Sequence, residues 1–140
     1  MFVILDTNHY RELLHRTKLG TVLDERLPDA NADAFTTIVT VQEILQGWTA
    51  EINRHKSGRD QIKAYEQFQN AIGDFANITI LPFDEEAAEA FHRLQSLRLN
   101  VGSIDLKIAA IAVSHSALLL SRNLKDFAKL SDLRVENWLD

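Results

Sequence analysis

The spacing of apolar positions changes several times along the chain, and each change marks an element. Residues 2 to 5, "FVIL", form a continuous apolar run that stops on Asp6 and reads as a buried strand. "TNHYRELLHR" then places Tyr10, Leu13 and Leu14 on one face of a short helix. The β-branched and aromatic run "AFTTIVTV", residues 34 to 41, predicts a second strand, after which Val41, Ile44, Leu45 and Trp48 fall at helical spacing. A third helical pattern, over residues 58 to 75, repeats Ile62, Tyr65, Phe68, Ile72 and Phe75. "NITILPF" is strand-like and ends at Pro82. "DEEAAEAFHRLQSLRL" opens with acids and closes with basic residues, the order that a helix dipole favours. "SIDLKIAAIAVSH" predicts a helix with a stripe of Ile104, Ile108, Ile111 and Ala112; a turn of two or three residues leads to the buried strand "ALLLS", and "LRVENW" is a weak final strand. Strands that alternate with helices predict a mostly parallel sheet covered on both faces and joined by right-handed crossovers.

The length of 140 residues suits a single domain, 1–140, and no repeat, linker or low-complexity tract divides it. With 46% hydrophobic and 25% charged residues the chain has an ordinary globular balance, and no apolar run approaches the length of a membrane span. "MFVILDTNHY" lacks the basic region and cleavage site of a secretory signal, so the expected location is the cytoplasm. The absence of cysteine leaves oxygen and imidazole as the only ligands for a metal, and none of the five histidines falls in a ligand pattern, which favours hard cations. A net charge of -5 argues against indiscriminate binding to nucleic acid. Local basic groups remain, at "NRHKSGR" (53 to 59) and at Arg11, Arg16 and Lys18; solvated helix ends or loops account for each cluster taken alone.

Acidic or amide residues stand at four junctions of this layout. Asp6 ends the first strand, where it either caps the next helix or faces the crevice at the carboxyl end of a sheet. Glu43 closes "TVQE", the form of a capping box in which it would reach back to the N–H of Thr40. Asp105 lies between Ala109 and Ala112 on a helical wheel, at the edge of the core, where a charge needs a partner that free N–H groups of the first turn would supply. In "SRNLKDF", Asn123 would cap a helical turn and Asp126 would sit in its first turn. Arg122 and Lys107 lie beside these positions in sequence and are candidates for contact with phosphate, or equally for a solvated surface.

"LDTN", "TVQEILQG", "DLKIAAIA" and "LLLSRNLKDF", in this order and in a chain of this length, resemble the PIN-domain family, most closely its small VapC-type toxin ribonucleases. The resemblance covers nearly the whole chain. It implies a three-layer α/β/α fold with a five-stranded, mostly parallel sheet. It also implies a catalytic set of Asp6, Glu43, Asp105 and Asp126, with Asp6 and Asp105 as principal ligands of Mg²⁺ or Mn²⁺. Glu43 would be a ligand or would orient the attacking water, Asn8 would support the first acid, and Asn123 is the alternative fourth residue. RNA as substrate, a homodimer and a separately encoded antitoxin partner are further implications. Two other readings compete: a PIN-fold regulator that binds nucleic acid or a partner with little cleavage, and a receiver-like Mg²⁺ domain. The second would need a paired-acid loop and a strand-end lysine, and neither is present.

Overall fold

The computed structural model describes residues Met1 to Asp140. The opening apolar run forms β1 (Phe2–Leu5) at the centre of a five-stranded sheet whose order is β3-β2-β1-β4-β5. Its companions are β2 (Asp33–Thr37), β3 (Thr79–Leu81), β4 (Leu118–Leu120) and β5 (Arg134–Glu136). Every pairing is parallel; Val3, Ile4 and Leu5 of β1 stand opposite Leu118, Leu119 and Leu120 of β4. The helices are α1 (Thr7–Leu14), α2 (Lys18–Asp29), α3 (Ile38–Arg54), α4 (Gly58–Asp74), α5 (Glu85–Ser96), α6 (Ser103–Ser114) and the short α7 (Leu124–Phe127).

Successive strand side chains point to opposite faces, and this alternation splits the core in two. Ile4 and Leu119 join Ala87, Ala90 and Leu94 of α5 and the buried residues of α6 in one cluster. Val3, Leu5, Leu118 and Leu120 join Tyr10, Leu23, Leu27, Ile44 and Ala71 in the other. The result is the expected α/β/α sandwich. Helix α6 is enclosed more fully than a stripe would require, because Leu106 and all residues from Ile108 to Ala112 are buried. No helix is long and apolar enough to cross a membrane.

Two elements differ from the sequence expectation. The second strand ends at Thr37, and "IVTV" begins α3. Thr37 Oγ1 accepts the N–H of Thr40 at 3.1 Å, so a side-chain cap starts the helix in spite of the β-branched run that follows it. Helix α2 was not anticipated. Thr17 caps it through the N–H of Gly20 at 3.0 Å, and Leu19, Leu23 and Leu27 turn one face inward.

Helices α1 and α2 meet at Gly20, where a Cβ would fall 1.8 Å from the carbonyl oxygen of Glu12 and 2.5 Å from its carbon. Both are backbone atoms, so no side-chain rotation relieves the clash. Gly20→Ala is expected to destabilise the fold by roughly 1–3 kcal/mol, the usual cost of overpacking. Urea unfolding checks this, and an unchanged midpoint would mean that the two helices separate without cost.

The strand order also positions the site. The chain winds outward from β1 to β2 and β3, then returns to lay β4 on the other side of β1. Parallel sheets bind ligands outside the carboxyl ends of the two strands where this reversal occurs. Here those ends are Leu5–Asp6 and Leu120–Ser121.

Candidate active site

Polar side chains are rarely buried without a partner or a purpose. In this protein Asp6, Thr7, His9, Thr36, Thr37, Thr40 and Ser121 are all buried, and all gather at the carboxyl end of the sheet. Hydroxyls stitch the elements together there. Thr36 Oγ1 donates to Leu5 O at 3.1 Å, Thr7 Oγ1 and Thr40 Oγ1 are 3.2 Å apart, and Ser121 Oγ accepts the N–H of Asn123 at 3.0 Å. The N–H of Asp6 donates to Leu120 O at 3.1 Å and so ties the ends of β1 and β4.

Above this floor lies a cavity of about 270 Å³ lined by Asp6, Thr7, Asn8, Arg11, Glu43, Asp105 and Asn123, with no apolar residue among them. Asp6 is both a cap and a wall of the cavity. Its Oδ1 accepts the N–H of His9 at 2.8 Å at the start of α1, and the cap uses only that oxygen. Glu43 does not form the capping box, because the cap of α3 is Thr37 and Glu43 lies in the second turn. Its half-buried carboxylate lines the cavity instead.

Asp105 is in the first turn of α6, whose N-terminus has no side-chain cap. Its partner comes from across the crevice: Asn123 Nδ2 donates to Asp105 Oδ2 at 3.1 Å and to Asp126 Oδ2 at 3.1 Å. Asn123 therefore makes no cap to α7 and bridges two carboxylates. Burial pushes the Asp105 carboxyl above its usual range, and the negative charges of Asp6, Glu43 and Asp126 push it further, against the lowering effect of the Asn123 amide. Asp126 is shifted the other way, first by that amide and then by Lys129, whose Nζ is 3.4 Å from its Oδ1. Asp126 does not line the cavity.

The acids ring the cavity, and no three of them form a closed metal cage. Three carboxylates and an amide oxygen nevertheless make an all-oxygen donor set of the kind that hard divalent cations prefer, and no imidazole lines the same space. Burial is the larger cause of the upward shift of Asp105; the smaller part, from Asp6, Glu43 and Asp126, is the negative charge that such a cation would offset.

Of the two basic residues singled out from sequence, Arg122 is paired with Asp140 through contacts of 3.1 and 3.2 Å, and Lys107 lies over the Phe91 ring at 5.6 Å. Neither lines the cavity. Arg11 does, and it also borders a larger groove of about 640 Å³ between α1, α3 and α4 that holds Tyr10, Leu14, Trp48 and Phe75. The sequence carried a signal for Arg11, which sits one helical turn after Thr7 and so shares its face. His9 is a second buried polar neighbour of Asp6 that no motif marked.

The PIN-domain family model matches residues 3–133. Ribonuclease VapC1 of Rickettsia felis is 30% identical over 106 residues, which cover 73% of this chain and 74% of that relative. Ribonuclease VapC2 of Haemophilus influenzae is 34% identical over 73 residues, 49% of this chain and 55% of the relative. Among solved structures, DNA-bound VapBC from Salmonella typhimurium superposes with a TM-score of 0.74 at 21% identity, covering 99% of this chain and 98% of that one. VapBC2 from Rickettsia felis, bound to a DNA fragment from its promoter, gives 0.73 at 23% identity and covers 99% of both chains. At these identities the structural likeness speaks for the fold.

Proposed function

Because the chain belongs to the PIN-domain family, we propose that it is a metal-dependent endoribonuclease, a single-domain cytoplasmic toxin whose partners are a separately encoded antitoxin and a second copy of itself. The observation that carries this reading is the convergence of Asp6, Glu43 and Asp105 on one wholly polar cavity at the strand reversal of the sheet. The names of the relatives, ribonucleases and toxin–antitoxin complexes, support the substrate class and the partner.

Asp6 and Asp105 would hold Mg²⁺ or Mn²⁺, which when bound makes water acidic enough to attack at neutral pH and offsets charge on the phosphate. Glu43 orients the attacking water or adds a ligand. Asn123 fixes the rotamer of Asp105 through its amide and, with the same group, holds Asp126, which lies outside the cavity lining. Asn8 is exposed at the mouth beside Asp6. Arg11 offers a fork of N–H donors to a phosphate entering the cavity, and it has no ion-pair partner to release first. Arg122 and Lys107 reach a phosphate only by leaving Asp140 and Phe91.

The test is cleavage of RNA by purified protein with Mg²⁺, Mn²⁺ or chelator, followed by analysis of the ends. Attack by water with the 3′ oxygen leaving gives a 5′-phosphate and a 3′-hydroxyl, only when metal is present. A 2′,3′-cyclic phosphate would overturn the mechanism. In cells, expression of the wild-type chain alone should slow bacterial growth, whereas Asp6→Asn at equal soluble level should not. Equal growth would favour a nuclease that is not a toxin, or a binding role.

A further inference from the structure

His9 is fully buried, and its two ring nitrogens face different parts of the chain. Nε2 accepts the backbone N–H of Trp138 at 3.2 Å, across 129 residues of sequence. A neutral imidazole has one acceptor and one donor nitrogen, so this bond assigns the proton to Nδ1. Nδ1 lies 3.3 Å from Asp6 Oδ1, outside hydrogen-bond alignment, and it is one of only two buried polar side-chain atoms without a partner. A buried N–H is not left unpaired without cost. The nearest group able to accept it is the carboxylate whose Oδ1 already takes the backbone N–H of the same residue at 2.8 Å.

The segment that holds His9 is itself anchored beside the site. Trp138 and Leu139 are buried, and the Trp138 ring lies 5.1 Å from the Arg26 guanidinium carbon. Asp140 pairs with Arg122, which stands between Ser121 and Asn123 on the loop that carries the amide partner of Asp105. The tail thus touches His9, which neighbours Asp6, and Arg122, which neighbours Asn123 in sequence.

We propose, building on the nuclease reading above, that His9 is a positioning residue. Its Nδ1–H completes a hydrogen bond to Asp6 in the working pose of that acid, and the backbone of Trp138 fixes the ring and its tautomer. Bonds among catalytic groups are often long or misaligned before the site is loaded. Groups that orient a ligating side chain typically change metal affinity or activity by roughly 10- to 100-fold when removed.

Three variants of the full chain separate positioning from packing. His9→Asn keeps an N–H donor near the place of Nδ1 and loses the acceptor for Trp138. His9→Gln reaches Trp138 with its amide oxygen and has no donor toward Asp6. His9→Leu fills space and does neither. Mn²⁺ binding without RNA, followed by electron paramagnetic resonance, is read together with the Mg²⁺ dependence of cleavage and with melting temperature. His9→Asn should retain most of the wild-type affinity and rate, whereas His9→Gln and His9→Leu should need roughly 10- to 100-fold more metal. Melting temperatures should run the other way between the two amides, with Gln above Asn, because only Gln keeps the bond to the tail. A packing role would move affinity and melting together, and that result overturns the proposal. If wild type binds Mn²⁺ and cleaves while all three variants match it, the positioning role alone falls; if wild type does neither, the nuclease reading falls with it.

Discussion

Asp6→Asn lowers the rate of RNA cleavage by about a thousandfold or more, equivalent to roughly 4 kcal/mol of lost transition-state stabilisation, while the chain stays folded. The two halves of this expectation come from the two oxygens of one side chain. Oδ1 caps α1 through the N–H of His9, and asparagine is as good a cap as aspartate, so the helix start survives the substitution. What is removed is the charge on the cavity wall, and with it half of the proposed pair of principal metal ligands. Asp105→Asn should behave alike, since an amide oxygen still accepts from Asn123 Nδ2. Glu43→Gln divides its two candidate roles: a ligand shifts the metal requirement, whereas a residue that orients water lowers the rate even at saturating metal. Single-turnover rates across a Mg²⁺ series, with circular dichroism as the control for folding, measure all three. A near-wild-type rate for Asp6→Asn would remove it from the site.

The architecture was legible because strong local signals agreed with the global fold. An uninterrupted apolar run ending on a polar residue reads as a strand buried in a parallel sheet, and β1, which stops at Asp6, and β4, which stops at Ser121, are of this kind. The boundary at residues 37 to 38 was not legible, because "TTIVTV" has strand propensity throughout and only the hydroxyl of Thr37 distinguishes a cap from one more strand residue. That small shift had a chemical consequence. It moved the start of α3 three residues back from Thr40, took Glu43 out of the capping box and placed it in the second turn facing the crevice. Helix α2 was obscured by Gly20 and Pro28, which look like loop residues; here the glycine permits a close helix contact and the proline lies in the last turn.

The amide of Asn123 and the ring of His9 were illegible for another reason. Their partners lie 18 and 129 residues away, and no local pattern encodes where an amide or an imidazole points. Arg11 lies between these extremes. Its place one turn after Thr7 could be read from helical spacing, but its position between two cavities depends on how α1 packs against α3.

The electrostatics of the acids predict a reversal of stability order between two solutions. The Asp105 carboxyl is raised above its usual range by burial first and by Asp6, Glu43 and Asp126 next, so its ionised form opposes folding. A group raised in the folded state contributes stability that is complete below its unfolded pKa and is lost as pH rises through the folded one. At a pH above the raised value, in chelator, that contribution is absent, and Asp105→Asn should be more stable than wild type by an amount on the order of 1 kcal/mol or less, since the group is half-exposed and water screens it. The advantage should shrink as pH falls through the raised value, where wild type gains its own proton. Metal acts in the opposite sense. A ligand at a hundredfold excess over its dissociation constant stabilises the state that binds it by about 2.7 kcal/mol, and a variant with roughly tenfold weaker binding gains only about 1.4 kcal/mol. Wild type should therefore melt below Asp105→Asn in chelator and above it in Mg²⁺ or Mn²⁺. Glu43→Gln should lose part of the metal-induced gain where Glu43 is a ligand and keep the wild-type gain where it only orients water. Thermal melts of wild type, Asp6→Asn, Glu43→Gln and Asp105→Asn at several pH values decide the matter. Equal metal-induced shifts in all four proteins would mean that the acids share a cavity without sharing an ion.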